Sequence, residues 1–66
     1  MQILLNGAAH EVAQGATLGI LLQQLGLEPE QVAIEHNRVI VPRGAFETKE
    51  IRDGDSIEMV EFIGGG

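Results

Sequence analysis

Apolar residues follow two different spacings along the chain, and the change from one to the other falls at Thr17. Before that residue, the apolar run Ile3–Leu5 leads into Asn6-Gly7, and weak apolar–polar alternation follows over 9–13. Two residues that tolerate positive φ, placed between such segments, are typical of a tight hairpin with a type I′ turn. Residues 1–13 are therefore predicted to form a β-hairpin with one packed face and one wet face.

A leucine stripe with helical spacing follows Thr17. Its members stand at i, i+3, i+4 and i+7 and are Leu18, Leu21, Leu22 and Leu25. Such a stripe is one face of an amphipathic helix. Thr17 is a suitable N-cap, and Gly26 is the residue type that adopts the left-handed conformation at a helix end. The pattern predicts one short helix that buries its leucine face on a flat surface.

Strand patterns return in the second half of the chain. Val32–His36 and Val39–Val41 are predicted strands, joined by a turn at Asn37-Arg38. Pro42 ends the second of them and suits the edge of a sheet, because proline cannot donate a hydrogen bond to a neighbouring strand. Phe46 lies in the loop that follows, and we expect it to anchor that loop to the core.

The last predicted strand runs over residues 57–63. Its alternation places Ile57 and Met59 on one face and Val60 and Phe62 on the other. Because one helix covers only one face of a sheet, Val60 and Phe62 are expected to stay exposed as a patch for partner docking. The alternative for Phe62 is that its ring folds over an edge of the sheet.

The order of elements predicts an α+β fold, a mixed sheet of four to five strands with one main helix packed across one face. The chain of 66 residues allows one domain, and its hydrophobic fraction of 44% argues against disorder. The net charge of −6, without a basic cluster, Trp or Tyr, argues against nucleic-acid binding. No apolar run is long enough to span a membrane, so a cytoplasmic location is expected.

The candidate chemistry lies in the glycine tail, Gly64–Gly66. Glycine buries no side chain and costs backbone entropy to order, so residues 1–63 are predicted to form the domain and 64–66 a flexible tail. Three extended residues reach about 10 Å. We expect Gly64 and Gly65 to thread a narrow channel of another protein and the carboxylate of Gly66 to react there.

Side-chain chemistry is scarce in this sequence. There is no cysteine and no plausible catalytic triad, so no catalytic residue is expected. His10 and His36 are too few and too far apart to indicate a metal site, and each is expected to be a surface or half-buried strand residue.

Several motifs together resemble one known family. They are Met-x-Ile-x-x-Asn-Gly at the start, Val-Ala-Ile-Glu-x-Asn over 32–37, Ile-Val-Pro-Arg over 40–43, Asp-Gly-Asp-x-Ile-Glu over 53–58, and the terminal Gly-Gly-Gly. The combination looks like the thiamin-pathway sulfur carriers, which are β-grasp (ubiquitin-like) proteins. The similarity covers essentially the whole chain.

The resemblance implies a mechanism and a set of partners. An adenylyltransferase of the ubiquitin-activating type (ThiF or MoeB type) would adenylate the Gly66 carboxylate with ATP and Mg²⁺, which belong to that enzyme and not to this chain. A sulfur donor system would then leave a thiocarboxylate, whose sulfur goes to thiazole synthase (ThiG type). Gly65 matches the penultimate glycine of the family, and Val60 and Phe62 match positions used against partners.

Two features resemble the modification sites of other carrier proteins but lack their context. Asp55-Ser56-Ile57 resembles the serine motif of acyl carriers, but those carry the serine at the start of a helix, and here it opens a predicted strand. Lys49 lacks the neighbours of a lipoyl or biotinyl lysine. Two classes stay open: a covalent carrier, for thiazole or for molybdopterin synthesis, and a non-covalent β-grasp interaction module. One extra C-terminal residue would inactivate the carrier and leave the module unaffected.

Overall fold

The computed structural model describes residues 1–62, so the predictions for Gly64, Gly65 and Gly66 concern residues outside the described part. The regular elements in chain order are β1 (Gln2–Leu5), β2 (Ala8–Glu11), α1 (Leu18–Leu25), β3 (Val32–His36), β4 (Val39–Ile40) and β5 (Ser56–Glu61). Short 3₁₀ turns at Pro29–Gln31 and Arg43–Ala45 precede β3 and follow β4. A five-stranded mixed sheet with one helix across it confirms the predicted fold class.

β5 is the central strand of the sheet, whose order is β2-β1-β5-β3-β4. It runs parallel to β1, with Leu5 beside Ile57, and antiparallel to β3, with Val32 beside Glu61 and His36 beside Ile57. Within residues 1–62, β2 and β4 pair only with their hairpin partners and form the two edges. The two hairpins are therefore joined into one sheet through β5.

The core lies between α1 and one face of the sheet. Its largest buried side chains are Ile3, Leu18, Leu21, Leu22, Val32, Ile34, Phe46 and Ile57. The leucine stripe predicted from the spacing is confirmed, although Leu25 is only half-buried. Phe46 is 2% exposed, which confirms that it anchors its loop to the core.

The ends of α1 follow the predicted capping. The Thr17 hydroxyl accepts a hydrogen bond from the Ile20 amide at 3.3 Å. Gly26 has a φ of 73°, and the Leu27 amide donates to the Leu22 carbonyl at 2.9 Å, which closes the helix end. These bonds satisfy backbone groups that a helix of only eight residues would otherwise leave to solvent.

Gly19 sits inside α1 because the helix approaches the Phe46 loop closely. A β-carbon at this position would lie 3.3 Å from the Glu47 α-carbon, which is tighter than ordinary van der Waals contact. The Gly19 amide also donates to the Phe46 carbonyl at 2.8 Å. The absence of a side chain therefore lets the loop backbone approach the helix closely, at a position where glycine costs the helix roughly 1 kcal/mol.

The β3–β4 turn confirms the predicted hairpin, and it places one residue in a backbone conformation that lowers the stability of the fold. Asn37 and Arg38 have φ values of 51° and 71°, the positive pair that a type I′ turn requires. Asparagine tolerates this conformation, but a residue with the bulk of arginine pays about 1 kcal/mol for it.

Replacement of Arg38 by glycine is expected to stabilise the fold. The variant Arg38→Gly removes the left-handed penalty and should raise the free energy of unfolding by about 0.5–1 kcal/mol, measured by urea denaturation. Arg38→Ala is the control, because it removes the guanidinium and keeps the β-carbon. Equal midpoints for the two variants would show that the backbone conformation is not the cause.

Candidate functional site

The face of the sheet opposite α1 carries several exposed apolar residues. On β5, Ile57 is buried and Met59 half-buried against the core, whereas Val60 points to the other side and is 62% exposed. Phe62, directly after β5, is 51% exposed. The exposure of both residues agrees with the alternation.

Neighbouring strands complete this surface. Ala33 pairs with Val60, Glu35 pairs with Glu58, and Ile40 of the edge strand pairs with Glu35. Residues in direct register share a face, so these side chains lie together with Val60 and Phe62. We call this set the open-face surface, and its members are Ala33, Glu35, Ile40, Glu58, Val60 and Phe62.

The backbone at Phe62 is held in place by a hydrogen bond. The Phe62 amide donates to the Gln31 carbonyl at 2.7 Å, beyond the last pair of β3 and β5. Only Ile63 separates this residue from the glycine tail in the sequence. The open-face surface is thus next, along the chain, to the segment with the candidate chemistry.

A polar cluster around the buried His36 fixes the turn that leads into β5. Asp55 accepts hydrogen bonds from His36 Nε2 at 2.5 Å, from the Arg52 amide at 2.8 Å and from Asn37 Nδ2 at 3.1 Å. His36 is 6% exposed, so it is buried, and not the surface or half-buried residue expected from the sequence. It points inward after Val32 and Ile34, and Asp55 is the partner of its Nε2, whereas its buried Nδ1 has no hydrogen-bond partner among residues 1–62.

The environment of Asp55 changes its titration. Burial disfavours the charged carboxylate, but the hydrogen bonds from Arg52, His36 and Asn37 and the charge of His36 outweigh it and hold the pKa of Asp55 below its usual range. The unfolded carboxyl titrates near a pKa of about 3.9. Ionised Asp55 therefore stabilises the fold above that pH, and this stabilisation is lost as the pH falls through the lower folded pKa.

Asp55→Asn should lower stability near neutral pH and flatten the acid limb of the stability profile. One amide position is a donor and cannot accept, so a loss of about 1–3 kcal/mol is expected at pH 7. Urea unfolding between pH 7 and pH 2 checks this, with Glu47→Gln as the control because Glu47 is an exposed carboxylate. An Asp55→Asn profile parallel to that of the control would contradict this role of the cluster.

Other candidate sites can be placed on the described residues. Residues 1–62 contain no group of three or more His, Cys, Asp or Glu arranged to hold a metal ion. Ser56 begins β5, with its amide donating to Asn37 Oδ1 at 2.8 Å, which is a strand context and unlike the helix start of an acyl carrier serine. No helix within this part of the chain is long and apolar enough to cross a membrane.

Comparison with known proteins gives a consistent result. Residues 3–66 match the model of the ThiS family. The sulfur carrier protein ThiS of Escherichia coli is 39% identical over 66 residues, which cover the whole of both chains. The crystal structure of the thiamine biosynthesis protein ThiS from Geobacter metallireducens superimposes with a TM-score of 0.84 at 33% identity and full coverage of both chains.

One relative is a longer protein. A thiazole synthase of Magnetococcus marinus is 47% identical over 66 residues, all of this chain but 20% of the relative. The chain therefore spans about a fifth of the length of that enzyme.

Proposed function

Since this chain belongs to the ThiS family, we propose that it carries sulfur for thiamin biosynthesis on the carboxylate of Gly66. The observation that carries the proposal is the match of residues 3–66, glycine tail included, to that family. Identity with the E. coli carrier over the full length of both chains supports it. The protein is a carrier that partner enzymes modify, and not itself the catalyst.

The proposed chemistry needs only a terminal carboxylate from this chain. A Gly66 carboxylate oxygen attacks the α-phosphorus of ATP in an adenylyltransferase of the ThiF or MoeB type, and pyrophosphate leaves. Sulfide (HS⁻) from a donor system then attacks the acyl carbon, AMP leaves with the C–O bond electrons, and the thioacid loses its proton to solvent. The product is a thiocarboxylate. A carboxylate is a poor acyl donor, and the adenylate supplies the leaving group that it lacks.

The domain would position this carboxylate for its partners. Gly64 and Gly65 would enter the active-site channel of the partner, because residues without side chains fit where the channel is narrow. Val60 and Phe62 would dock on the partner surface outside it. Thiazole synthase is the proposed acceptor of the sulfur, and the thiazole synthase that contains a segment similar to this chain supports that choice.

Intact-mass spectrometry tests the proposal. The protein would be incubated with a ThiF-type adenylyltransferase, Mg-ATP and a sulfur source, and one oxygen-to-sulfur exchange mapped to Gly66 is expected. Thiazole synthase is then added as the acceptor, with a molybdopterin synthase subunit in parallel to separate the two pathways. No exchange with an enzyme that modifies another carrier would favour the non-covalent β-grasp module.

Truncation of the docking residues should weaken recognition without unfolding the domain. The double variant Val60→Ala/Phe62→Ala is expected to raise by about tenfold or more the carrier concentration that gives half-maximal adenylation, because exposed apolar anchors dominate many interfaces. Ile20→Ala is the matched control, since Ile20 is 49% exposed but lies on α1. An equal effect of the two changes would refute docking at Val60 and Phe62.

A further inference from the structure

The backbone of Phe62 is held by a short turn that precedes β3. The Phe62 amide donates to the Gln31 carbonyl at 2.7 Å, one residue beyond the last pair of β3 and β5. Gln31 ends the 3₁₀ turn Pro29–Gln31, which we call the anchor turn. Its own amide donates to the Glu28 carbonyl at 2.9 Å and is therefore not free for Phe62. The pairing of β5 with β3 thus passes into the anchor turn through this one bond.

The other neighbour of β5 has turned away by this point. β1 pairs with β5 at Ser56 and Ile57. The Met59 amide then donates to the Asn6 side chain at 2.7 Å, where the β1–β2 turn begins. Among residues 1–62, the backbone of Phe62 therefore bonds to the anchor turn alone.

Two side chains brace the anchor turn. Gln31 Oε1 accepts a hydrogen bond from the Glu28 amide at 2.8 Å, which closes the turn on itself. Arg43 Nε donates to the Pro29 carbonyl at 2.9 Å. Because Arg43 belongs to the segment after β4, this bond ties the turn to a second part of the domain. A charged donor forms a stronger hydrogen bond than a neutral one, and the fixed φ of Pro29 restricts the turn further.

We propose that the anchor turn sets the point from which the glycine tail leaves the domain, with Gln31 and Arg43 as positioning residues for the reaction at Gly66. The inference rests on the proposed function, because it concerns how that carboxylate reaches the adenylating enzyme. Four residues follow Phe62, and they span about 13–14 Å if extended. A fixed Phe62 therefore fixes the centre and the limit of the space that the carboxylate can reach.

Loss of the anchor should weaken recognition and leave the chemistry unchanged. A loosened Phe62 adds one residue whose backbone must be ordered when the tail enters the enzyme, and ordering one residue changes an equilibrium by a factor of about 5–30. Once the enzyme is saturated, contact with it orders Phe62 whether or not the turn does. The carrier concentration for half-maximal adenylation should therefore rise about fivefold, with the rate at saturation unchanged within about twofold.

The test compares Gln31→Ala/Arg43→Ala, the anchor variant, with Gln23→Ala/Arg52→Ala, which removes the same groups from exposed positions outside the turn. NMR relaxation of the backbone nitrogen of Phe62 gives its order parameter, expected to be about 0.85 in wild type and below about 0.6 in the anchor variant. Steady-state adenylation by a ThiF-type enzyme gives the two kinetic parameters, at a temperature at which circular dichroism shows every variant folded. Gln31→Glu/Arg43→Lys keeps the acceptor and a cationic donor, so it should behave as wild type.

A disordered Phe62 together with the expected rise in half-maximal concentration supports the inference. An anchor variant in which Phe62 stays ordered, or is disordered without that rise, overturns it, as does an equal rise in the control variant. Intact mass distinguishes this inference from the proposed function. Sulfur on wild-type Gly66 with no difference between the variants leaves the function standing and overturns only the inference, whereas no modification of wild type overturns both.

Discussion

A chain that lacks Gly66 is expected to accept no measurable sulfur from the activating system. Its new terminal carboxylate, on Gly65, lies one residue nearer to the domain, a displacement of about 3.3–3.6 Å if the tail is extended. Misplacement of a reacting group by as little as 1 Å can cost about a hundredfold in rate. We therefore expect a fall of at least about a thousandfold in adenylate formation, measured by pyrophosphate release and by intact mass.

Two controls separate loss of chemistry from loss of fold. The truncated chain should keep the urea midpoint of wild type, because the core residues named above all lie within residues 1–62. A chain with one residue added after Gly66 should fail equally, since an amide then replaces the carboxylate at Gly66. Modification of either chain at the rate of wild type would disprove Gly66 as the covalent site.

Phe46→Ala is expected to destabilise the fold by about 3–5 kcal/mol, as large aromatic truncations in protein cores do. Phe46 is among the largest fully buried side chains, and its loop meets α1 at Gly19. A domain below about 70 residues rarely has more than about 3–5 kcal/mol of core stability, so much of the variant should be unfolded at 25 °C. Circular dichroism and urea titration measure this loss.

The second phenylalanine of the chain provides the matched control. Phe62→Ala makes the same chemical change at a side chain that is 51% exposed, so its effect on stability should stay within about 0.5 kcal/mol. Near-equal midpoints for the two variants would contradict the role of Phe46 as the anchor of its loop.

Short sequence patterns were sufficient to predict the helix, the strands and the turns of this fold. Asn6-Gly7, the leucine stripe and Gly26 each act over a few residues, and the structure confirms the turn, the helix and its end. The boundaries of two strands differ by one residue from the prediction: β4 ends at Ile40 and not at Val41, and β5 begins at Ser56 and not at Ile57. The insertion of β5 between β1 and β3 depends on pairing across some fifty residues, so no local pattern could reveal it.

The candidate site was also predictable where it depends on local patterns and unpredictable where it depends on contacts between distant residues. The exposure of Val60 and Phe62 follows from alternation within one strand. The burial of His36 depends on Asp55, which stands 19 residues away, and the opposition of Glu35 and Glu58 depends on the register between two strands. The hydrophobic pattern fixes which face of a strand is buried, but which distant strand it pairs with is decided only when the sheet packs together.

The central position of β5 has a kinetic consequence. Without β5 the chain contains only the two hairpins and α1, and a two-stranded hairpin alone is marginally stable in water. The two sheet interfaces that involve β5 join it to strands that lie far from it in sequence. Neither interface can form before β5 has been synthesised. Folding is therefore expected to be slow for the size of the domain and to follow translation of β5. A nascent or clipped chain without this strand is therefore expected to be unfolded and readily cleaved by proteases.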